Sequence, residues 1–192
     1  MKSAMGRLAR LLLPLSLGFG WLLCPPVCGA SGFVVANAVT RLEEQTYLLD
    51  VQVDYGFSET ALEALDNGVP LTLEMRVQVR RKGAWIWESN LVERRRLYTI
   101  RYRPLPELYL VVRLPEGPKQ SFVTRAAAIA ALGEVHDLPL LDRSRLDPDE
   151  RYLVRVKVSL EVEALPLPLR PVAYLQPSWD LSSGWTLWPL DP

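Results

Sequence analysis

Histidine and cysteine are almost missing from this 192-residue chain, which has one histidine, His136, and two cysteines, Cys24 and Cys28. Both cysteines fall in the first thirty residues, in a segment that reads as a removable leader. The remainder can then form no disulfide and offers no thiol nucleophile, and one imidazole does not make the nitrogen and sulfur set that zinc prefers. No Gly-x-Ser-x-Gly elbow occurs, and no glycine-rich phosphate loop or other cofactor motif is present. An excess of positive charge is also lacking. The chain has 22 basic and 22 acidic residues, which argues against general nucleic-acid binding.

The N-terminus has three parts. Met1–Arg10 carries Lys2, Arg7 and Arg10 and no acid, Leu11–Cys24 is apolar, and Cys28-Gly29-Ala30 supplies small residues before a cut after Ala30. That is the layout of a secretory signal peptide. The apolar run is shorter than the about 20 residues a membrane span needs, and Pro14 interrupts it. Leu23 and Val27 precede the cysteines, so neither fits a lipid-modified N-terminus. Residues 1–30 are expected to be a signal peptide and residues 31–192 a single periplasmic domain. Membrane contact would come only through the leader or an uncleaved anchor. Removing the leader takes away three basic residues and no acid, leaving 19 against 22 and a net charge near −3.

Period-two alternation dominates the rest. Tyr47, Leu49, Val51, Val53 and Tyr55 alternate with polar residues, as do Leu71, Leu73, Met75, Val77 and Val79, then Tyr98, Ile100 and Tyr102, then Tyr152 through Val162. Side chains two apart share a strand face, so these segments are strands with one wet face, the habit of antiparallel sheets. Thr72, Glu74, Arg76, Gln78 and Arg80 form the outward set of the second. Phe33–Thr40 and Glu107–Leu114 are further candidate strands. Arg81-Lys82-Gly83-Ala84 can close a hairpin to a strand starting near Trp85, with Gly83 taking positive φ. Ser58 can cap a helix over Glu59–Asn67 that stops at Gly68. Thr124 can cap another over Arg125–Leu132. Pro166, Pro168, Pro171 and Pro177 predict an extended or polyproline-like arm over Leu165–Pro177. The expected fold is all-β and mainly antiparallel, a β-sandwich of roughly seven strands with two short helices. An open β-barrel is the alternative.

Candidate sites follow from residue chemistry. His136-Asp137 pairs the one histidine with an acid, but neighbours on a strand point to opposite faces, so Asp137 is poorly placed to orient a catalytic His136. Asp142, Asp147, Asp149 and Glu150 could face a calcium ion, although their spacing matches no helix-loop-helix loop and such turns ordinarily face solvent. Carboxylate pairs for glycoside cleavage stand in no recognisable setting. Arg94, Arg95 and Arg96 precede Arg101 and Arg103, and by parity Arg95, Arg101 and Arg103 lie on the face opposite Tyr98, Ile100 and Tyr102. Such a strip suits a carboxylate or phosphate partner. It equally suits a solvated face paired with Glu74 and Glu93, or a guarded edge. Trp85 and Trp87 share one strand face, and Trp179, Trp185 and Trp188 crowd the C-terminus. Tryptophan serves both interfaces and cores. No catalytic, cofactor-binding or metal residue is assigned. The interaction candidates are Arg95, Arg101, Arg103, Trp179, Trp185 and Trp188.

Several stretches carry a family resemblance. The segment Ala61–Leu71, with Leu65-Asp66-Asn67-Gly68-Val69-Pro70-Leu71 as its most specific part, the region Arg96–Tyr102, the stretch Glu150–Leu160 and the segment Trp179–Trp185 resemble exported proteobacterial proteins that carry a domain-of-unknown-function label. The resemblance covers nearly all of 33–188. It implies export, one domain after a signal or anchor, and genes beside a two-component sensor kinase and its regulator. It implies no activity or cofactor. The expected role is therefore a non-enzymatic periplasmic binding or signalling-accessory module, with an envelope protein such as a sensor kinase as partner. A small-ligand or lipid carrier is the alternative, followed by a hydrolase of envelope material.

Overall fold

A computed structural model describes residues 32–85 and 90–190. The leader and Trp87 lie outside the described residues. Two antiparallel sheets face each other. The smaller contains β1 (Gly32–Glu43), β2 (Thr46–Gly56) and β7 (Glu134–Asp142), in the order β1-β2-β7. The larger contains β3 (Leu71–Arg81), β4 (Val92–Arg103), β5 (Leu108–Leu114), β6 (Lys119–Phe122), β8 (Tyr152–Leu160) and β9 (Thr186–Pro189), in the order β6-β5-β4-β3-β8-β9. Neither sheet closes on itself, so the architecture is a sandwich and not a barrel. The alternating positions meet between the sheets. Leu49 from β2, Leu71, Leu73, Met75, Val77 and Val79 from β3, and Val154, Val156 and Val158 from β8 are all fully buried. Each such side chain contributes about 1.5–3 kcal/mol by leaving water.

The described chain has nine strands where about seven are expected. The additional ones carry weak alternation. β6 and β9 have four residues each and sit at the two edges, and β9 ends in Pro189. β7 contains Pro139 and two register shifts against β2, which break its period. β3 departs from the expectation in another way. It lies between β4 and β8, and its outward residues Thr72, Glu74 and Gln78 are buried as well. A central strand is covered by the long side chains of both neighbours, so only part of its outer face stays wet.

Helices close parts of the sandwich. In α1 (Glu59–Asp66) the Ser58 Oγ accepts from the Ala61 N–H at 3.2 Å and donates to the Ser178 carbonyl at 2.7 Å. Gly68 follows with φ 82°, as the stop signal requires. In α2 (Arg125–Gly133) the Thr124 hydroxyl accepts from the Ala127 N–H, and Ala128 and Leu132 are buried. Asp66 accepts from Tyr109 Oη at 2.9 Å and pairs with Arg125, tying α1, β5 and α2 together.

The proline-rich segment is not an extended arm. It coils through a 3-10 turn at Val162–Ala164, a helix α3 (Arg170–Leu175) and a second 3-10 turn at Pro177–Trp179. Pro171 and Pro177 sit in first turns, where a missing N–H leaves no bond unmade. Leu165, Ala173, Trp179 and Leu181 anchor the segment in the core.

Phe33, Tyr55 and Phe57 form an aromatic cluster with ring centroids 4.9–6.0 Å apart. The Tyr55 hydroxyl is buried there and has no hydrogen-bond partner among the described residues. Burial pushes this phenol far above its ordinary range. Tyr55→Phe is expected to raise stability by up to about 1–2 kcal/mol, because an unsatisfied buried donor disfavours the folded state. Denaturant unfolding checks this, and a clear loss of stability would show that the hydroxyl has a partner.

Candidate functional site

The open face of the six-stranded sheet gathers most of the sequence candidates. Strand register sets its rows. Arg76 lies between Arg95 and Lys157, Leu110 between Arg101 and Ser121, and Arg103 opposite Leu108. On the other flank Arg155 pairs with Leu187. Leu97, Leu108, Leu110 and Val112 are half-buried on this face, and Leu187 is exposed. The face therefore mixes cations with apolar side chains, and among the described residues no second layer of sheet covers it.

The arginines are not equivalent. Arg95 pairs with Glu74, its Nε 2.7 Å from Oε1, and its Nη2 donates to Glu74 Oε2 at 3.3 Å and to Glu161 Oε2 at 3.0 Å. Arg76 donates to the same Glu74 carboxylate at 2.9 and 3.0 Å. Glu161 follows β8, and its N–H donates to the Thr72 carbonyl at 2.8 Å, which brings its carboxylate beside Glu74. Burial by itself would raise the Glu74 carboxyl. The hydrogen bonds from Arg76 and Arg95 outweigh burial and hold it below the usual carboxylate range. Glu161 goes the other way, raised by burial and by its hydrogen bond to ionised Glu74. Arg95 thus belongs to an internal charge network. Arg101 and Arg103 are exposed and have no ion-pair partner among the described residues. Glu161 is the member of this network that sequence reading missed. The alternation read as Tyr152 through Val162 places it on the wet face, but β8 ends at Leu160, and only the turn of the chain there brings its carboxylate to Glu74 and Arg95.

The network has a sign-specific pH consequence. Glu161 has a raised folded pKa, so protonation favours the folded state, and its ionised form disfavours folding above that pKa. Glu161→Gln is therefore expected to gain on the parent protein, by up to about 1 kcal/mol, as pH rises from the carboxylate range to neutrality. Unfolding curves at both ends of that range check it, and the opposite trend would contradict it.

The three C-terminal tryptophans separate. Trp179 is core, at 3% exposure. Trp188 lies opposite Val154 on the inner side of β9, half-buried, and its Nε1 donates to Thr186 Oγ1 at 3.3 Å. Trp185 lies one strand-face repeat before Leu187, and the Arg155 guanidinium carbon sits 4.6 Å from its ring centroid. Cation and ring hold each other in place at this edge of the open face. Of the six candidates, Arg95, Arg101, Arg103 and Trp185 share the outer face, while Trp179 and Trp188 pack inward. Trp85 stands apart at 76% exposure.

The smaller sheet has the opposite character. Its outer face carries Asp50, Asp54, Glu134 and Asp137 with Arg41 and His136, and Arg41 bridges Asp50 and Asp137. The parity argument about His136 and Asp137 fails here. A bulge with Asp137 at φ 55° brings both residues to Asp50, whose Oδ1 accepts from the Asp137 N–H at 2.9 Å and lies 3.9 Å from His136 Nδ1. The imidazole is 67% exposed, with Glu134 at 4.0 Å. The calcium candidates do not converge. Asp142 caps Ser144, Asp147 accepts from the Asp149 N–H, and Glu150 pairs with Arg81. Among the described residues no three His, Cys, Asp or Glu side chains come together as metal ligands.

A cavity lies at one end of the sandwich, between the β1–β2 turn and the start of β8. It measures about 880 Å³ and is lined by Tyr47, Leu146, Tyr152, Leu153 and Leu190, with Lys82, Arg143 and Arg151 at its rim. Of its lining only Asp147 and Glu150 stood out in the sequence, as calcium candidates, because strand ends meet there from four separate segments.

No curated protein and no solved structure matches the chain. A family profile does match, over residues 30–189, which include both sheets and the open face. The chain belongs to the family described as a domain of unknown function, DUF4390.

Proposed function

We propose that this protein is an exported, non-enzymatic binding module that docks an acidic, partly apolar segment of an envelope protein on the open face of its six-stranded sheet. The observation that carries the reading is the pair Arg101 and Arg103. Both are exposed without a carboxylate partner among the described residues, and they flank Leu108 and Leu110 on an uncovered face. Guanidinium forks suit carboxylates, and adjacent leucines add apolar area that a solvated face does not need. Arg155 stacked on Trp185 supplies a pre-ordered anchor at the far edge. The resemblance read from the sequence implies genes beside a sensor kinase, and the outer segment of such a kinase is the partner we propose on that ground. Signal-peptide export supplies the compartment in which the two would meet.

A photocrosslinking residue placed at Leu110, and separately at Asp54 on the opposite face, tests this in cells. The expected result is one discrete protein adduct from position 110 and none from position 54. Adducts from position 54 alone, or from neither position, would overturn the reading.

A further inference from the structure

We propose that the cavity at the end of the sandwich is a binding site for a carboxylate-headed amphiphile of the fatty-acid kind. The site is separate from the open sheet face, so its failure leaves the docking reading intact. β1 ends at Glu43, β2 begins at Thr46, β7 ends at Asp142 and β8 begins at Tyr152. The gap between the sheets therefore opens to solvent at this end. Its volume of about 880 Å³ lies within the roughly 300–1,000 Å³ of small-molecule sites. Tyr47, Leu146, Tyr152, Leu153 and Leu190 make an apolar wall able to take an alkyl chain.

The rim carries the charge that selects the head group. Of the two acids in its lining, one is ion-paired and the other is held by a backbone N–H. Glu150 pairs with Arg81 at 3.2 Å, and Asp147 Oδ1 accepts from the Asp149 N–H at 3.0 Å. The Asp147 N–H is itself held by Tyr152 Oη at 3.0 Å, which fixes the loop against the wall. The cations Lys82, Arg143 and Arg151 have no carboxylate partner among the described residues. The Lys82 N–H donates to the Arg151 carbonyl at 2.7 Å, so these two are held side by side. An apolar wall under three cations that outnumber the one carboxylate without an ion pair, Asp147, is complementary to one anionic head on one apolar chain. A neutral lipid would leave the cations unused, and a small hydrophilic anion would leave the wall uncovered.

The test is titration of the mature chain with oleate below its micelle concentration, read by calorimetry. Methyl oleate and an Arg143→Glu/Arg151→Glu variant serve as comparisons. Saturable binding near one oleate per chain is expected, weakened about tenfold or more by the double reversal and by esterification. A circular dichroism spectrum of the variant separates lost binding from lost folding. A Lys82→Glu variant, whose side chain also stands at the rim, gives a second reading and is expected to weaken oleate as well. No saturable binding, or equal binding of oleate and its ester, would overturn the proposal. So would flotation with phosphatidylglycerol vesicles without uptake of free oleate, because the ligand would then be a bilayer surface.

Discussion

Gly133→Ala is expected to lower folding stability by about 2–4 kcal/mol, and Gly133→Val to prevent folding at ambient temperature. Gly133 is the last residue of α2, and β7 starts at the next one. A Cβ at this position would sit 2.4 Å from the Val53 carbonyl oxygen. That atom belongs to the backbone of β2, the middle strand of the smaller sheet, with ladders to β1 on one side and β7 on the other. Neither chain can yield without breaking a ladder, so the substitution displaces a whole element and not one flexible side chain. Gly83→Ala is the matched control. Gly83 has φ 85° but open space around its would-be Cβ, so only left-handed strain remains, about 1–2 kcal/mol. Denaturant unfolding of the two variants compares a steric cause with a conformational one. A smaller loss for Gly133→Ala than for Gly83→Ala would contradict the packing described.

Reversing Arg101 and Arg103 together is expected to weaken partner docking by about a hundredfold or more, with little change in folding. Two lost charge-assisted contacts and two new repulsions at a single patch amount to roughly 3 kcal/mol or more. Both side chains are exposed and without ion-pair partners among the described residues, so the folded state loses almost nothing. Trp185→Ala should weaken docking less, about tenfold, because it releases Arg155 from its stacked position while leaving the charge in place. Binding of the wild-type chain should fall as salt rises, and the reversed variant should show little of that dependence. Equal binding by the wild-type and doubly reversed chains would remove the face from consideration.

The legible parts of this molecule are those where burial follows a simple period. Leu71, Leu73, Met75, Val77 and Val79 announced a strand with one buried side, and all five are fully buried. The caps at Ser58 and Thr124 were equally readable, because a side-chain oxygen has one local task there. Local patterns carry less about what lies across the sheet. Glu74 looked outward and wet by parity, yet β4 and β8 on either side bury it between Arg76 and Arg95. The proline-rich segment looked extended because proline resists helix interiors, but Pro171 and Pro177 fall in first turns, where that objection lapses, and Pro166 and Pro168 lie between the helical pieces.

The candidate site was half legible for the same reason. Parity placed Arg95, Arg101 and Arg103 on one face of β4, and the structure adds Leu108, Leu110 and the Arg155–Trp185 stack from other strands. Trp185 and Trp188 looked like one cluster in sequence. Trp185 precedes β9 and meets Arg155 on the outer face, whereas Trp188 within β9 turns inward, and β9 was too short to be recognised as a strand. The end cavity was invisible, since its wall comes from β2, β8, the loop before β8 and the end of β9.

A charge swap tests the docking surface most directly. The partner segment captured by crosslinking at position 110 would be made as a peptide, with its acids intact or replaced by lysine. Affinities of both peptides would be measured for the wild-type chain and for Arg101→Glu/Arg103→Glu. The account predicts that each reversal alone abolishes binding and that the two together restore a substantial part of it. Undiminished binding by the reversed chain, or no recovery when both charges are swapped, would contradict it.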